Sequence, residues 1–433
     1  VANTVAQAAE VETPSAGLGR GRAAGLRYGG LGFPLAFVAL PLYVSLPAHY
    51  AQNYGMPLAW LGALLLAARL LDALVDPWIG RLCDRWLNEH PRRVLPLMAG
   101  AAAALGAGFY ALFFPPLREP QGLLLWCGTF LLVCYGGYSL LSVMHQTWGA
   151  RLGGSPAQQT RVVAWREGLS LAGVIAASLL PGWIGLAGTA TVLAAALGLS
   201  LLLLRWAPRA LASGPAARAR AIQVWAYRGF RRLLAVFLLN GIAAAIPATL
   251  LLFFVRDRLQ TPQAEGLYLA SYFLAAAASL PLWLRGVARW GQARSWGLGM
   301  VLAVAAFAWA AVLGTGDQIG FVAVCLASGA ALGADLAIPG AMLAGVIQRA
   351  GLHARAEGSF FGWWNAANKL NLALAAGLAL PLLQLLGYTP GARDAQALNA
   401  LTLSYCLLPC LLKLAAAALL YRHWIRPQGE DLP

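Results

Sequence analysis

The stretch Ala68-Arg69-Leu70-Leu71-Asp72-Ala73-Leu74-Val75-Asp76-Pro77 places an arginine and two aspartates inside an apolar run covering about residues 57–82. An ionisable residue at the centre of a membrane helix costs about 2.5–3.5 kcal/mol on insertion scales, so it is kept where it faces a cavity or a partner. Spacings of three and four put Arg69, Asp72 and Asp76 on one helical face. Two carboxylates one turn apart make a hard-oxygen site, able to hold a small cation or to share a proton. Arg69 can neutralise whichever carboxylate the cation leaves. The other reading of the same residues is an ion-pair stripe against a neighbouring helix. Pro77 weakens the local hydrogen bonding and can free a carbonyl for coordination. Asp84-Arg85, eight residues beyond Asp76, falls at the membrane edge and reads as a lock between two parts of the molecule.

The rest of the chain is apolar in the same way. Of 433 residues, 60% are hydrophobic and 11% charged, against roughly 25% charged in soluble domains. A soluble enzyme, a disordered chain and a disulfide scaffold are excluded. The six cysteines fall in or beside apolar runs. A membrane helix needs about 20 mostly apolar residues. Twelve such runs are predicted, at 28–50, 57–82, 94–114, 121–148, 162–185, 188–207, 231–255, 265–286, 294–314, 319–347, 358–387 and 398–424, with Pro181-Gly182 and Gly188 marking the turn inside 162–207.

The formal charge is +15, but the arginines are dispersed at the ends of these runs and form no nucleic-acid patch. With the N-terminus in the cytoplasm, 23 arginines fall on that side and only Arg118, Arg256, Arg258 and Arg393 on the other. The positive-inside rule then puts both termini in the cytoplasm. The expected organisation is a tail (1–27), a six-helix bundle (28–207), a central loop (208–230), a second bundle (231–424) and a tail (425–433). Part of the loop, Ala216 to Arg232, reads as a tether or as an interfacial amphipathic helix. Gly80 to Arg85 and Arg285 to Arg294 occupy equivalent exits from the second helix of each half. Two six-helix halves related by a repeat are the plan of major facilitator transporters, with the site near the midplane between them.

Further polar residues sit inside the runs. Arg166 lies deep enough to reach the cavity, and Glu167 points about 100° away from it, the angle per residue of a 3.6-residue turn; the other reading is a snorkelling pair at the cytoplasmic rim. Asn365, Asn368 and Lys369 share a face, and a buried ammonium there needs a carboxylate or an anionic ligand, with Asp72 or Asp76 as partner. Asp335 precedes a helix break at Pro339-Gly340. Tyr138, Ser142, His145 and Gln146 form a polar wall, in which His145 is either a proton relay or a satisfied structural group. Lys413 is expected to snorkel from a peripheral helix. The Cys406–Cys410 pair reads as apolar packing, so no metal site is expected. No phosphate loop, nucleotide fingerprint or nucleophile elbow is present, which argues against an ATP-driven pump and against an enzyme.

The pattern Arg69-x-x-Asp72-x-x-x-Asp76-Pro77-x-x-Gly80-x-x-x-Asp84-Arg85 resembles the helix-2 signature of the glycoside–pentoside–hexuronide:cation symporters, the melibiose-permease group of major facilitators. Gly333 to Pro339 and Glu357 to Leu370 resemble the end of that family's second half. The resemblance implies that Asp72 and Asp76 are the paired cation-site carboxylates, that Arg166 and Tyr138 stand near the solute, and that Lys369 stands near the cation site. The family's melibiose transporters carry an aspartate where this chain has Ser142, a sugar-stacking aromatic where it has Gln146, and a Lys-Asp pair where it has Phe33-Pro34. The missing carboxylate favours H+ over Na+.

The expected function is cation-coupled symport of a small organic solute by alternating access, in a bacterial inner membrane, by a monomer with no cofactor beyond the coupling ion. Asp72 and Asp76 would bind the ion, and Arg69 and Lys369 would set their charge. Tyr138, Gln146, Arg166, Asp335, Asn365 and Asn368 would face the solute. Asp84 and Arg85 would gate. The alternative is movement of a lysophospholipid or another amphiphile by a member of the same superfamily.

Overall fold

With no water inside a bilayer, a spanning chain must satisfy its backbone internally, which leaves helices as the solution for apolar runs of this length. The computed structural model describes residues 21–211, 222–389, 391–392 and 394–426, and it is helical throughout. The helices are α1 (Arg22–Gly29), α2 (Gly32–Leu40), α3 (Leu46–Tyr54), α4 (Leu58–Glu89), α5 (Val94–Phe113), α6 (Pro120–Ala150), α7 (Pro156–Arg205) and α8 (Arg228–Phe253). They continue with α9 (Glu265–Trp290), α10 (Gln292–Ala310), α11 (Gln318–Ala337), α12 (Pro339–Arg349), α13 (Glu357–Leu385), α14 (Ala395–Thr402) and α15 (Leu408–Leu420). A π-helical turn at Pro41–Ser45 joins α2 to α3, and another at Leu403–Leu407 joins α14 to α15, so each trio of short segments runs on as one rod. Pro339 divides α11 from α12, at the break expected beside Asp335.

Among the described residues, ten helical stretches are long and apolar enough to cross a membrane. One of them, α7, carries a reversal: Gly185 has φ 68° and ψ 178°, between the two signals read from the sequence. Ser170 and Ser200 prove the turn, because their hydroxyls reach the carbonyls of Gly32 and Gly30 respectively. A straight helix would separate them by about 45 Å. The charged α4 falls outside the ten. The fold is all-helical, with about ten to twelve apolar helices.

Within the first half, α2 packs on α7 and α5 on α6; within the second, α9 packs on α11 and α8 on α13 and α15. The halves meet most extensively where α4 lies against α13. Glycine makes that approach possible: a Cβ on Gly80 would collide with the Gly358 carbonyl, and one on Gly362 with the Asp76 carbonyl.

Residues 1–20 of the expected N-terminal tail, 212–221 of the central loop, Arg393, and 427–433 lie outside the described residues. The described part of Ala216 to Arg232 is not one amphipathic helix. Val224–Ala226 form a single 3-10 turn and Tyr227 is extended before α8 begins.

Candidate ion and solute site

Asp72 and Asp76 come from the middle of α4, Ser139 from α6 and Lys369 from α13, so the site straddles the seam between the halves. Lys369 Nζ lies 2.7 Å from Asp72 Oδ2 and 2.8 Å from Asp76 Oδ2. It donates hydrogen bonds to Asp76 Oδ1 at 2.8 Å and to Ser139 Oγ at 2.7 Å. The Asp76 Oδ2 contact is ionic, without hydrogen-bond geometry. Ser139 Oγ donates in turn to Asp72 Oδ1 at 2.7 Å. The carboxylates are buried, and the ammonium lies within 2.8 Å of both.

On one side of this cluster is a cavity of about 410 Å³ between the halves. Arg69, Tyr138, Ser142, Asn365, Asn368, Lys369 and Asp335 all line it. Asp72 and Asp76 stand one layer behind the wall, covered by Lys369 and Ser139. Gln146 does not line the cavity; it braces the wall, donating to Ser142 Oγ and to Asn365 Oδ1 at 3.0 Å each.

The structure corrects several expectations. Arg166 is not on the cavity wall: its guanidinium folds onto the neighbouring Glu167, 2.6 Å away. The two side chains diverge by 100° at Cα, but both are long enough to meet beside the helix. His145, by contrast, is placed as the second of its two readings has it, with Nε2 against the Tyr28 carbonyl and the Tyr28 hydroxyl donating to the His145 carbonyl. Lys413 does not snorkel. It is buried, 2.9 Å from Asp335 Oδ2, because α15 packs directly on α8 and α10.

Asp84 is the centre of a second cluster, about 18 Å along α4 from Asp72. Its carboxylate accepts from the backbone N–H of Gly358 and of Ser359 at 2.7 Å each, and from Ser359 Oγ at 2.8 Å. A carboxylate there caps the orphan donors and complements the dipole of α13. Arg151, fully buried at the end of α6, reaches Asp84 at 3.1 Å, Glu357 at 3.0 Å and Asn88 at 2.7 Å. Arg85 takes no part. It pairs with Glu89 on the surface, with its side chain 70% exposed. Of the two residues expected to lock the halves, only Asp84 does so, because successive helical residues point about 100° apart.

Sequence reasoning missed Ser139, Arg151, Glu357 and Lys413 as site members, and Asn240, which also lines the cavity. Ser139, between Tyr138 and Ser142, was passed over in the polar wall, and Arg151 was counted only as a topological charge. Lys413 carried a usable signal, being one of only two lysines in the chain.

The seam is thus a stack of polar rungs on α13: Lys369 to Asp72, Asp76 and Ser139; Asn365 to Gln146; and Glu357 to Arg151. Such a seam, with a cavity between two helical halves, is the architecture of a transporter. The chain belongs to the MFS/sugar transport protein family, which matches residues 25–426. It is 28% identical over 130 residues to the putative glycoside/cation symporter YagG of Escherichia coli, and 24% identical over 131 residues to the inner membrane symporter YicJ of the same organism. Each alignment spans 30% of this chain and 28% of the relative's length. Among solved structures, a bacterial homologue of the iron transporter ferroportin in an outward-facing state has a TM-score of 0.66 at 17% identity, covering 92% of this chain and 98% of that one. The MFS transporter FucP in the outward conformation has a TM-score of 0.65 at 14% identity, covering 94% and 100%. The fold is that of a major facilitator, and the family is one of transporters, not enzymes.

Proposed function

We propose that the protein is a cation-coupled symporter of a small organic solute, with H+ as coupling ion, crossing a bacterial inner membrane twelve times with both termini cytoplasmic. The count of twelve takes the two arms of α7 separately and includes α4. One observation carries the coupling: the Lys369 ammonium of α13 reaches across the seam to both Asp72 and Asp76 of α4. A proton arriving on either carboxylate cancels half of what holds Lys369, and so loosens α13 from α4. The same loosening reaches the Asp84–Arg151–Glu357 cluster, which clamps the arginine-rich end shut. Na+ would have to displace the ammonium from oxygens already in use, and Ser139 adds no charge to attract it. Tyr138, Ser142, Asn365, Asn368 and Asp335 offer the solute hydroxyl, amide and carboxylate groups, suited to a polyhydroxylated molecule. The two relatives, a putative glycoside/cation symporter and an inner membrane symporter, support this reading.

A second reading is favoured by a specific feature. An apolar groove between α7 and α9, lined by Trp165, Leu169, Leu280 and Leu284 with Arg22 and Arg161 at its edge, suits a lysophospholipid or other amphiphile entering from the side.

The test is a thermal-shift screen of purified protein against glycosides, hexuronides and lysophospholipids, followed by uptake of the stabilising ligand into proteoliposomes. Accumulation driven by an inward pH gradient, dissipated by a protonophore, is the expected result. Uptake that is indifferent to ion gradients overturns coupling, and a screen answered only by lysophospholipids favours the second reading.

A further inference from the structure

Of the 31 basic residues, 29 are arginine; the two lysines, Lys369 and Lys413, both lie inside apolar helices and both end on aspartates. Arginine keeps its proton at any pH and has the better fork for a fixed ionic strut. Lysine is a compact charge with fewer fixed bonds, more easily parted from its partner. Lys369 is accounted for by the seam; Lys413 is not.

Four helices of the second half build the site around Lys413. Its Nζ donates to Asp335 Oδ2 at 2.9 Å and to Asn240 Oδ1 at 2.8 Å. Asn240 Nδ2 donates to Asp335 Oδ1 at 2.9 Å, and Trp296 Nε1 to the same oxygen at 2.8 Å. Asp335 stands between the central cavity and a smaller side cavity of about 150 Å³. The side chain of Asp335 is 13% exposed and that of Lys413 only 3%, so the pair is open to the cavity through the carboxylate. Asn240 is bound at both ends, and its Oδ1 leaves the ammonium a partner whenever the carboxylate is neutral.

We propose that Asp335 and Lys413 form a second proton-exchange site, separate from Asp72, Asp76 and Lys369. A proton from cavity water binds Asp335 Oδ2, the carboxylate becomes neutral, and the ion pair breaks. Lys413 keeps its proton and stays on Asn240 Oδ1. The charged and titratable groups facing Asp335 are Lys413 from α15, Tyr272 from α9 and, around the shared central cavity, Arg69, Tyr138 and Lys369. The side cavity adds Tyr268, Tyr405 and Cys325, while α8 and α10 contribute the uncharged Asn240 and Trp296. The ledger of two sites is one at the seam between halves and one inside the second half.

Infrared pH titration of the full-length protein in lipid nanodiscs tests this without knowledge of the solute. The acid-minus-alkaline difference spectrum is expected to contain a protonated-carboxyl C=O component that disappears in Asp335→Asn. In Lys413→Gln that component should move to higher pH by about one unit or more, and Lys413→Arg should return it close to the wild-type position. It should persist in Lys369→Ala. A spectrum unchanged in Asp335→Asn overturns the proposal. Should Asp335→Asn fail to fold, equal midpoints in Lys413→Gln and Lys413→Arg overturn it instead.

Discussion

Lys369 bridges both buried carboxylates of α4, and that makes it the residue whose loss is most informative. Lys369→Ala leaves Asp72 and Asp76 one turn apart with no cation between them, and two like charges so placed hold a proton to higher pH than either would alone. The pH optimum of solute exchange should therefore move upward. Adding Asp76→Asn removes the repulsion and should cancel most of the shift. Exchange is the assay to use, because coupled uptake can fail in the double variant for a different reason. An unchanged profile in Lys369→Ala would mean that the ammonium acts on the solute directly. These residues were legible in the sequence because charge in an apolar run is conspicuous. Ser139 was not legible, since one hydroxyl in a helix has many uses and only the packing of α6 against α4 and α13 selects this one.

At the scale of elements, α4 and α13 form the closely packed pair across the seam and α7 is a folded rod. Asp84 joins the first two through backbone bonds and Arg151. Asp84→Ala removes a helix cap and one partner of a buried arginine, a loss of about 1–3 kcal/mol. The arginine-rich end should open more often, raising the maleimide-labelling rate of a variant retaining only the buried Cys83 by about tenfold or more. No change in labelling would place the clamp elsewhere. In α7, Gly185 adopts a backbone conformation essentially restricted to glycine, although a Cβ there would meet no neighbouring atom. Gly185→Ala should then cost about 1–3 kcal/mol from the backbone alone and lower the thermal midpoint. Gly182→Ala, also unobstructed but helical, should be neutral or slightly stabilising. Equal effects of the two would mean that the reversal is not held at Gly185. The sequence marked this turn to within a few residues through Pro181, Gly182 and Gly188, but which glycine takes the strained conformation depends on where both arms dock on α2.

For the whole molecule, the prediction concerns the driving ion. At fixed membrane potential, a pH gradient should drive accumulation and replacing K+ by Na+ should leave it nearly unchanged. Steep Na+ stimulation at constant pH would show that Na+ displaces Lys369 and that the loss of a carboxylate at Ser142 was misread. The inference depends on both halves: α4 supplies the carboxylates and α13 the competing ammonium, so neither half alone sets the selectivity.

The helical membrane class, the apolar spans, the family and the paired carboxylates followed from the sequence alone. Each rests on local information: hydrophobic length, helical spacing and the cost of charge in an apolar run. Partnership was decided only by tertiary structure. Asp84 locks the halves with the distant Arg151 while Arg85 stays on the surface, Arg166 pairs with Glu167 off the cavity wall, and Lys413 is buried on Asp335. A side chain's environment is set by which helices pack against its own, and hydropathy carries no record of that packing.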